Sequence, residues 1–182
     1  MKVLIDACVL YPTVMREMVL GAAAKGLFTP YWSPRILEEW ARAAARLGDG
    51  QEVVARGEIA ALGARWPKAC VVPHEGDLRR LYLPDENDIH VLAAAVAAGA
   101  DVLLTLNNAD FPRHTLAEEG VRRESPDLFL RGVVDTHPNE MAALGQAVLA
   151  EARRLSGDDG WTMRKLMKKA RLPRLGKALE QL

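Results

Sequence analysis

Only two cysteines occur in 182 residues, Cys8 and Cys70, and neither has zinc-ligand spacing. Both sit in apolar runs and read as small reduced core residues, which excludes a disulfide framework. No segment supplies about 18 uninterrupted apolar residues, the first apolar run breaks at Asp6, and no signal peptide precedes it. A soluble cytoplasmic protein with no membrane span is therefore expected. Neither sign of charge dominates, with 24 Lys and Arg against 24 Asp and Glu. No global field draws polyanions, so contact with nucleic acid needs a local basic patch or a bound metal. His74, His114 and His137 lack ligand spacing, and His90 and Trp40 read as packing residues. There is no internal repeat and no low-complexity tract.

What is present suits one compact domain with an appendage, since 49% of the residues are apolar. Residues 3–5 form a short apolar run ending in a polar turn, which predicts a strand buried on both faces of a parallel sheet. Val14, Met18 and Ala22 recur at helical spacing over 13–25, and Gly26 stops that helix. A second strand is expected over 28–32. Ser33 then Pro34 start the next helix, with a hydroxyl N-cap and a proline at the first helical position. A further helix covers 51–66 despite Gly57 and Gly63, and 70–73 reads as a short strand.

In DENDIHVLAAAVAAG, Asp85 reads as the cap of a helix apolar on nearly every face, with Gly99 as its stop. Residues 101–106 are a buried strand and 107–112 its exit loop. Strands alternate with helices and no hairpin signal intervenes, which predicts a three-layer α/β/α sandwich with a mostly parallel central sheet. Residues 133–138 read as a connector. Met141, Leu144, Val148 and Leu155 then mark an amphipathic helix with Asn139 as its cap, and beyond 157–160 the chain turns basic.

The chemistry lies in acids at element edges: Asp6, Glu39, Asp88 and Asp110. In a parallel sheet the carboxyl end of a strand faces the ligand crevice, which is where Asp6 falls. Converging carboxylates suit a hard cation such as Mg²⁺ or Mn²⁺, which neutralises phosphate charge and activates a water, so no covalent nucleophile is needed. Crowded acids repel one another when no cation is present. Each acid also has a plain structural reading. Asp88 suits a capping arrangement, Glu39 a solvated face shared with Glu38, Arg35 and Arg42, and Asp110 the start of a turn. Asp6 resists such a reading, because an acid at the mouth of a buried strand must find a cation or donors. A haloacid-dehalogenase-type phosphatase needs a second Asp where Cys8 stands, and a dinucleotide fold needs glycine within 7–12, where there is none.

VLIDACVLYP, GLFTPYWSPRILEEW, DENDIHVLAAAVAAGADVLLTLNNADFP and ESPDLFL together cover about residues 1–130. In these stretches the chain resembles the PIN-domain ribonucleases, and within them the VapC-type toxins of type II toxin–antitoxin pairs. The resemblance implies that Asp6, Glu39 and Asp88 hold Mg²⁺ or Mn²⁺. It gives Asp110 the fourth, weaker role and leaves Thr105 and Asn107 in support, with Asn107 standing at the spacing where many members carry the fourth acid. Ala7 and Cys8 replace a Thr and an Asn that would orient the first carboxylate. The implied activity is endoribonuclease cleavage leaving 3′-hydroxyl and 5′-phosphate ends, the implied partners are RNA and a separate antitoxin, and a homodimer is implied.

The organisation expected is a PIN-like nuclease domain over 1–130 and a C-terminal helical extension over 131–182. Within the extension, Lys165, Lys168, Lys169 and Arg171 are candidate contacts to RNA or to an acidic partner, or else part of a solvated face. Two rivals stand beside the toxin reading: a catalytically weak PIN scaffold that binds RNA or protein, and a housekeeping RNA-processing nuclease with the same chemistry.

Overall fold

The computed structural model describes all residues 1–182. Strand β1 (Lys2–Ile5) opens the chain and is followed by a single turn, α1 (Ala7–Leu10), and by α2 (Thr13–Ala24). Strand β2 (Thr29–Tyr31) leads into α3 (Pro34–Ala45), where the Ser33 hydroxyl accepts from the Ile36 N–H at 3.2 Å. A cap of this kind contributes about 1 kcal/mol. Helices α4 (Gln51–Arg65) and α5 (Glu75–Arg80) come next, and a 3₁₀ turn (Glu86–Asp88) feeds α6 (Ile89–Ala98). Gly99 ends α6 at φ +58, a left-handed conformation that costs glycine little. The rest of the chain is β3 (Val102–Leu104), α7 (Arg113–Glu118), β4 (Arg122–Glu124), α8 (Pro126–Thr136), α9 (Pro138–Ser156), α10 (Met163–Lys169) and α11 (Pro173–Leu179).

The architecture is α/β with C-terminal helices, and all four strands run parallel in the order β2-β1-β3-β4. Val3, Leu4, Ile5, Val102, Leu103 and Leu104 are fully buried, as two-faced central strands require. Each such side chain contributes roughly 1.5–3 kcal/mol relative to exposure. From β1 the chain moves first to one neighbour, β2, and later to the other, β3. That reversal makes the carboxyl ends of β1 and β3 the switch point where open parallel sheets place their ligand crevices. Asp6 extends β1 there, its N–H donating to the Leu104 carbonyl at 3.1 Å, and Thr105 extends β3 in the same way toward Glu124 at 3.2 Å.

By internal contacts the chain divides into two units: Met1–Tyr11 with Thr29–Glu124, and Pro12–Phe28 with Ser125–Leu182. The first holds the sheet. The second is helical; α2 packs on α8 and α9, α11 packs on α8, and α10 pairs with α11. Phe28 meets Phe129 edge to face at 5.1 Å. Helix α11 has no cap of its own, and the Asp127 carboxylate on α8 supplies one, accepting from the Arg174 and Leu175 N–H groups at 3.0 Å each. Gly176 permits the close approach of α10, since a Cβ there would lie 2.8 Å from Met167 Cβ.

Several expectations need correction. Residues 133–138 are not a connector: α8 runs to Thr136, α9 starts at Pro138, and His137 rather than Asn139 holds the N-cap position. A proline at the first helical position lets one helix follow another almost without a loop. Residues 70–73 form no strand, only an isolated bridge from Cys70 to Trp32. Cys70 is exposed rather than a core residue, and Cys8 is half-buried. Helix α5, helix α7 and the charged edge strand β4 had no apolar periodicity to reveal them.

Candidate metal centre

Asp6 is 8% exposed and Thr105 fully buried. An acid so placed needs donors, and it has two. The Thr105 hydroxyl donates to Asp6 Oδ2 at 2.7 Å and the Cys8 thiol donates to the same oxygen at 3.1 Å. Cys8 Sγ in turn accepts the Leu106 N–H at 3.3 Å. Burial, and then the negative charge of Asp6, push the Cys8 thiol up to about 12, so it stays protonated and able to donate. Ala7 and Cys8 therefore do not leave the carboxylate unoriented, because the thiol performs the orienting role assigned to a polar neighbour.

On the other side of the crevice, one carboxylate oxygen from each of Asp85, Asp88 and Asp110 lies within 4.8 Å of the other two. The 3₁₀ turn and the loop after β3 deliver them. Asp85 Oδ1 also caps the turn, accepting from the Asn87 N–H at 2.9 Å. Asp88 occupies the N-cap position of α6 but makes no capping bond, so its carboxylate is free to face its neighbours. Burial, followed by the charges of Asp6, Asp85 and Asp110, pushes Asp88 up to about 6. The Asn107 amide nitrogen bridges this side, donating to Asp88 Oδ2 at 3.1 Å and to Asp110 Oδ2 at 2.7 Å. Its backbone N–H donates to the Thr105 hydroxyl at 3.0 Å, linking the two sides.

Glu39 stands outside the Asp85–Asp88–Asp110 triple. Its Oε1 is 2.9 Å from His90 Nε2 and 3.3 Å from Arg35 Nε, and Arg35 Nη2 donates to the Asn87 carbonyl at 3.1 Å. Burial alone would raise the Glu39 carboxyl; His90 and Arg35 outweigh it and hold Glu39 below the usual carboxylate range. His90 is buried, and despite the close approach of Nε2 to Glu39 neither of its ring nitrogens makes a well-aligned hydrogen bond. Glu38, by contrast, is a solvated ion-pair partner of Arg42 and Arg56.

Of the residues the sequence singled out, Asp88 and Asp110 come together, Asp6 borders them closely enough to raise Asp88, and Glu39 is joined to the site through Arg35 and the Asn87 carbonyl. Thr105 and Asn107 tie the acids together. Asp85 reads from the sequence only as a cap, although its spacing of three from Asp88 places both acids on one turn. Lys165, Lys168, Lys169 and Arg171 belong to the other unit, exposed on or just after α10. The donor set at the crevice is all oxygen, mutually repelling and partly open to solvent, which fits Mg²⁺ or Mn²⁺ rather than a soft metal. A family model described as a PIN domain matches residues 2–109. No curated protein and no solved structure matches the chain.

Proposed function

The chain belongs to the PIN-domain family, and from that premise we propose that it is a metal-dependent endoribonuclease hydrolysing RNA phosphodiesters to 3′-hydroxyl and 5′-phosphate ends. The observation that carries this reading is the convergence of Asp85, Asp88 and Asp110 within 4.8 Å beside Asp6 at the switch point of the sheet. Asp6, Glu39, Asp88 and Asp110, joined by Asp85, would hold Mg²⁺ or Mn²⁺. When bound, the cation supplies charge neutralisation at the phosphate and a more acidic water. The chain's own residues do the rest. Thr105 and Cys8 fix the Asp6 carboxylate through Oδ2. Asn107 holds Asp88 and Asp110 at a shared distance. Arg35 and His90 keep Glu39 charged.

On this proposal the protein is the cytoplasmic toxin of a type II toxin–antitoxin pair, covered by a separate antitoxin and acting as a homodimer, with residues 1–130 as the nuclease and 131–182 as a helical extension. One observation favours the scaffold alternative: the Asn107 amide already offers Asp88 and Asp110 a positive partial charge. Incubation of total RNA with the purified protein in Mg²⁺, Mn²⁺ or EDTA, beside folded Asp6→Asn and Asp88→Asn variants, separates the two. Discrete products lost in EDTA and in both variants support the nuclease; RNA binding without cleavage supports the scaffold.

A further inference from the structure

The helical unit contains a cleft of about 460 Å³ between the start of α2, the end of α9 and α10. Protein interiors leave few voids larger than a water molecule, and a cleft of this size falls in the range that takes up ligand groups. Its wall is built from Pro12, Met15, Leu155, Trp161 and Leu166, and the only charged residue on it is Lys169. Leu155 stands on the rim, 67% exposed.

The wall is fixed in place. Arg153 donates through Nε and Nη2 to the Trp161 carbonyl at 2.9 and 2.7 Å, locking the segment after α9. Lys169 Nζ rests 5.0 Å from the Trp161 ring centroid. It has no carboxylate partner, and Lys165, Lys168 and Arg171 have none either, in contrast to Arg164, which pairs with Glu180 at 3.5 Å. Lys165 lies one helical turn before Lys169, on the same side of α10. An apolar hole thus stands beside a run of exposed, uncompensated cations.

We propose that this cleft docks an acidic amphipathic segment of a partner protein, seating one bulky apolar side chain against Leu155 and Trp161 and laying its carboxylates on Lys169 and Lys165. Charge complementarity chooses the occupant: an apolar anchor alone would leave the cations unused, and an anion alone would leave the cleft unfilled. RNA fits less well. Trp161 is the one aromatic ring on the wall and the Lys169 ammonium already lies over it, so the wall offers no series of aromatic platforms for successive bases. None of these residues belongs to the acidic crevice, so the docking site stands or falls independently of RNA cleavage.

The test is fluorescence anisotropy on the full chain with a fluorescein-labelled peptide of repeated Glu-Glu-Leu-Leu units. Its controls are a peptide with every Leu changed to Ser and one with every Glu changed to Lys. Saturable binding of the first peptide alone is expected, weakened about 10-fold or more by Ala152→Trp, which fills the cleft, and by Lys169→Glu. Leu155→Asp, on the exposed rim, keeps the test decisive if Ala152→Trp perturbs folding, because it must reproduce the loss. The proposal is overturned by absence of saturable binding to wild type, by binding that survives both Ala152→Trp and Leu155→Asp, or by equal binding of the Leu-to-Ser peptide. Tight binding of labelled oligouridine that Lys169→Glu abolishes and Leu155→Asp leaves unchanged, with no peptide binding, would make the patch an RNA contact instead.

Discussion

The two sides of the acidic crevice solve the same problem in opposite ways. On the strand side, Asp6 is buried and held by a hydroxyl and a thiol. On the loop side, Asp85, Asp88 and Asp110 crowd together with one shared amide between two of them, and Asp88 is pushed up to about 6. One side is satisfied by its own donors; on the other the carboxylates still oppose one another. On the proposed function the held side would give position and the repelling side affinity, since a cation would be attracted by charges that otherwise oppose one another.

The sharpest break in that comparison is to remove one acid from each side. Asp6→Asn and Asp88→Asn should each lower Mn²⁺-dependent RNA cleavage on the order of 10²–10³-fold, the range for loss of a preorganised electrostatic contact. Steady-state cleavage of a defined RNA checks it, and near wild-type rates from either variant would remove that acid from the site.

Next, Thr105→Val leaves Asp6 buried with one donor fewer. A hydrogen bond to a charged group is worth about 1.5–3 kcal/mol, so the thermal midpoint should fall by roughly 3–12 °C for a chain of this size. An unchanged midpoint would mean that the Thr105 bond does not hold Asp6.

Cys8 probes the same side more gently. Cys8→Ala should weaken Mn²⁺ binding about 10-fold, as loss of a group that orients a ligand does, while Cys8→Ser restores it. Calorimetric titration reads the difference. In the native protein iodoacetamide at pH 8 should label exposed Cys70 and spare Cys8, whose thiol is pushed up to about 12.

The smallest effect lies on the loop side and has the opposite sign. Because folding raises the Asp88 pKa, the stabilisation it gives is present below about pH 3.8 and is lost as pH rises through about 6. Metal-free Asp88→Asn should therefore be more stable than wild type at pH 7.5. With solvent screening at this half-exposed site the gain is about 1 kcal/mol, or roughly 2–4 °C, shrinking toward pH 4. Differential scanning fluorimetry in EDTA decides it, and a lower midpoint at pH 7.5 would show that Asp88 is not under repulsion.

Much of this was legible in the chain. The apolar runs gave the two central strands, Ser33-Pro34 gave the start of α3, and Gly99 gave the end of α6, because each signal acts within a few residues. Strand β4 was invisible because Arg122, Arg123 and Glu124 form a charged edge, which protects a sheet against pairing and carries no apolar alternation. Asp6 and Asp88 stand out in the sequence by their places at element edges. The contacts of Cys8 and Asp85 do not: Cys8 is placed by a bond to Leu106, 98 residues away, and the cap signal of Asp85 conceals its approach to Asp88 and Asp110.

The bond from Thr105 to Asp6 joins residues 99 apart in the chain, which sets an order of events during synthesis. At about 5–20 residues per second, Asp6 is added to the growing chain roughly 5–20 s before its partner is made. Strand β1 and its carboxylate therefore wait without the hydroxyl that fixes them, and the acids of the loop side are all translated within that interval or just after it. A nascent chain that ends before Thr105 carries Asp6, Asp85 and Asp88 without Asp110 and without the crevice, so whatever the finished site does, it begins only when most of the molecule exists.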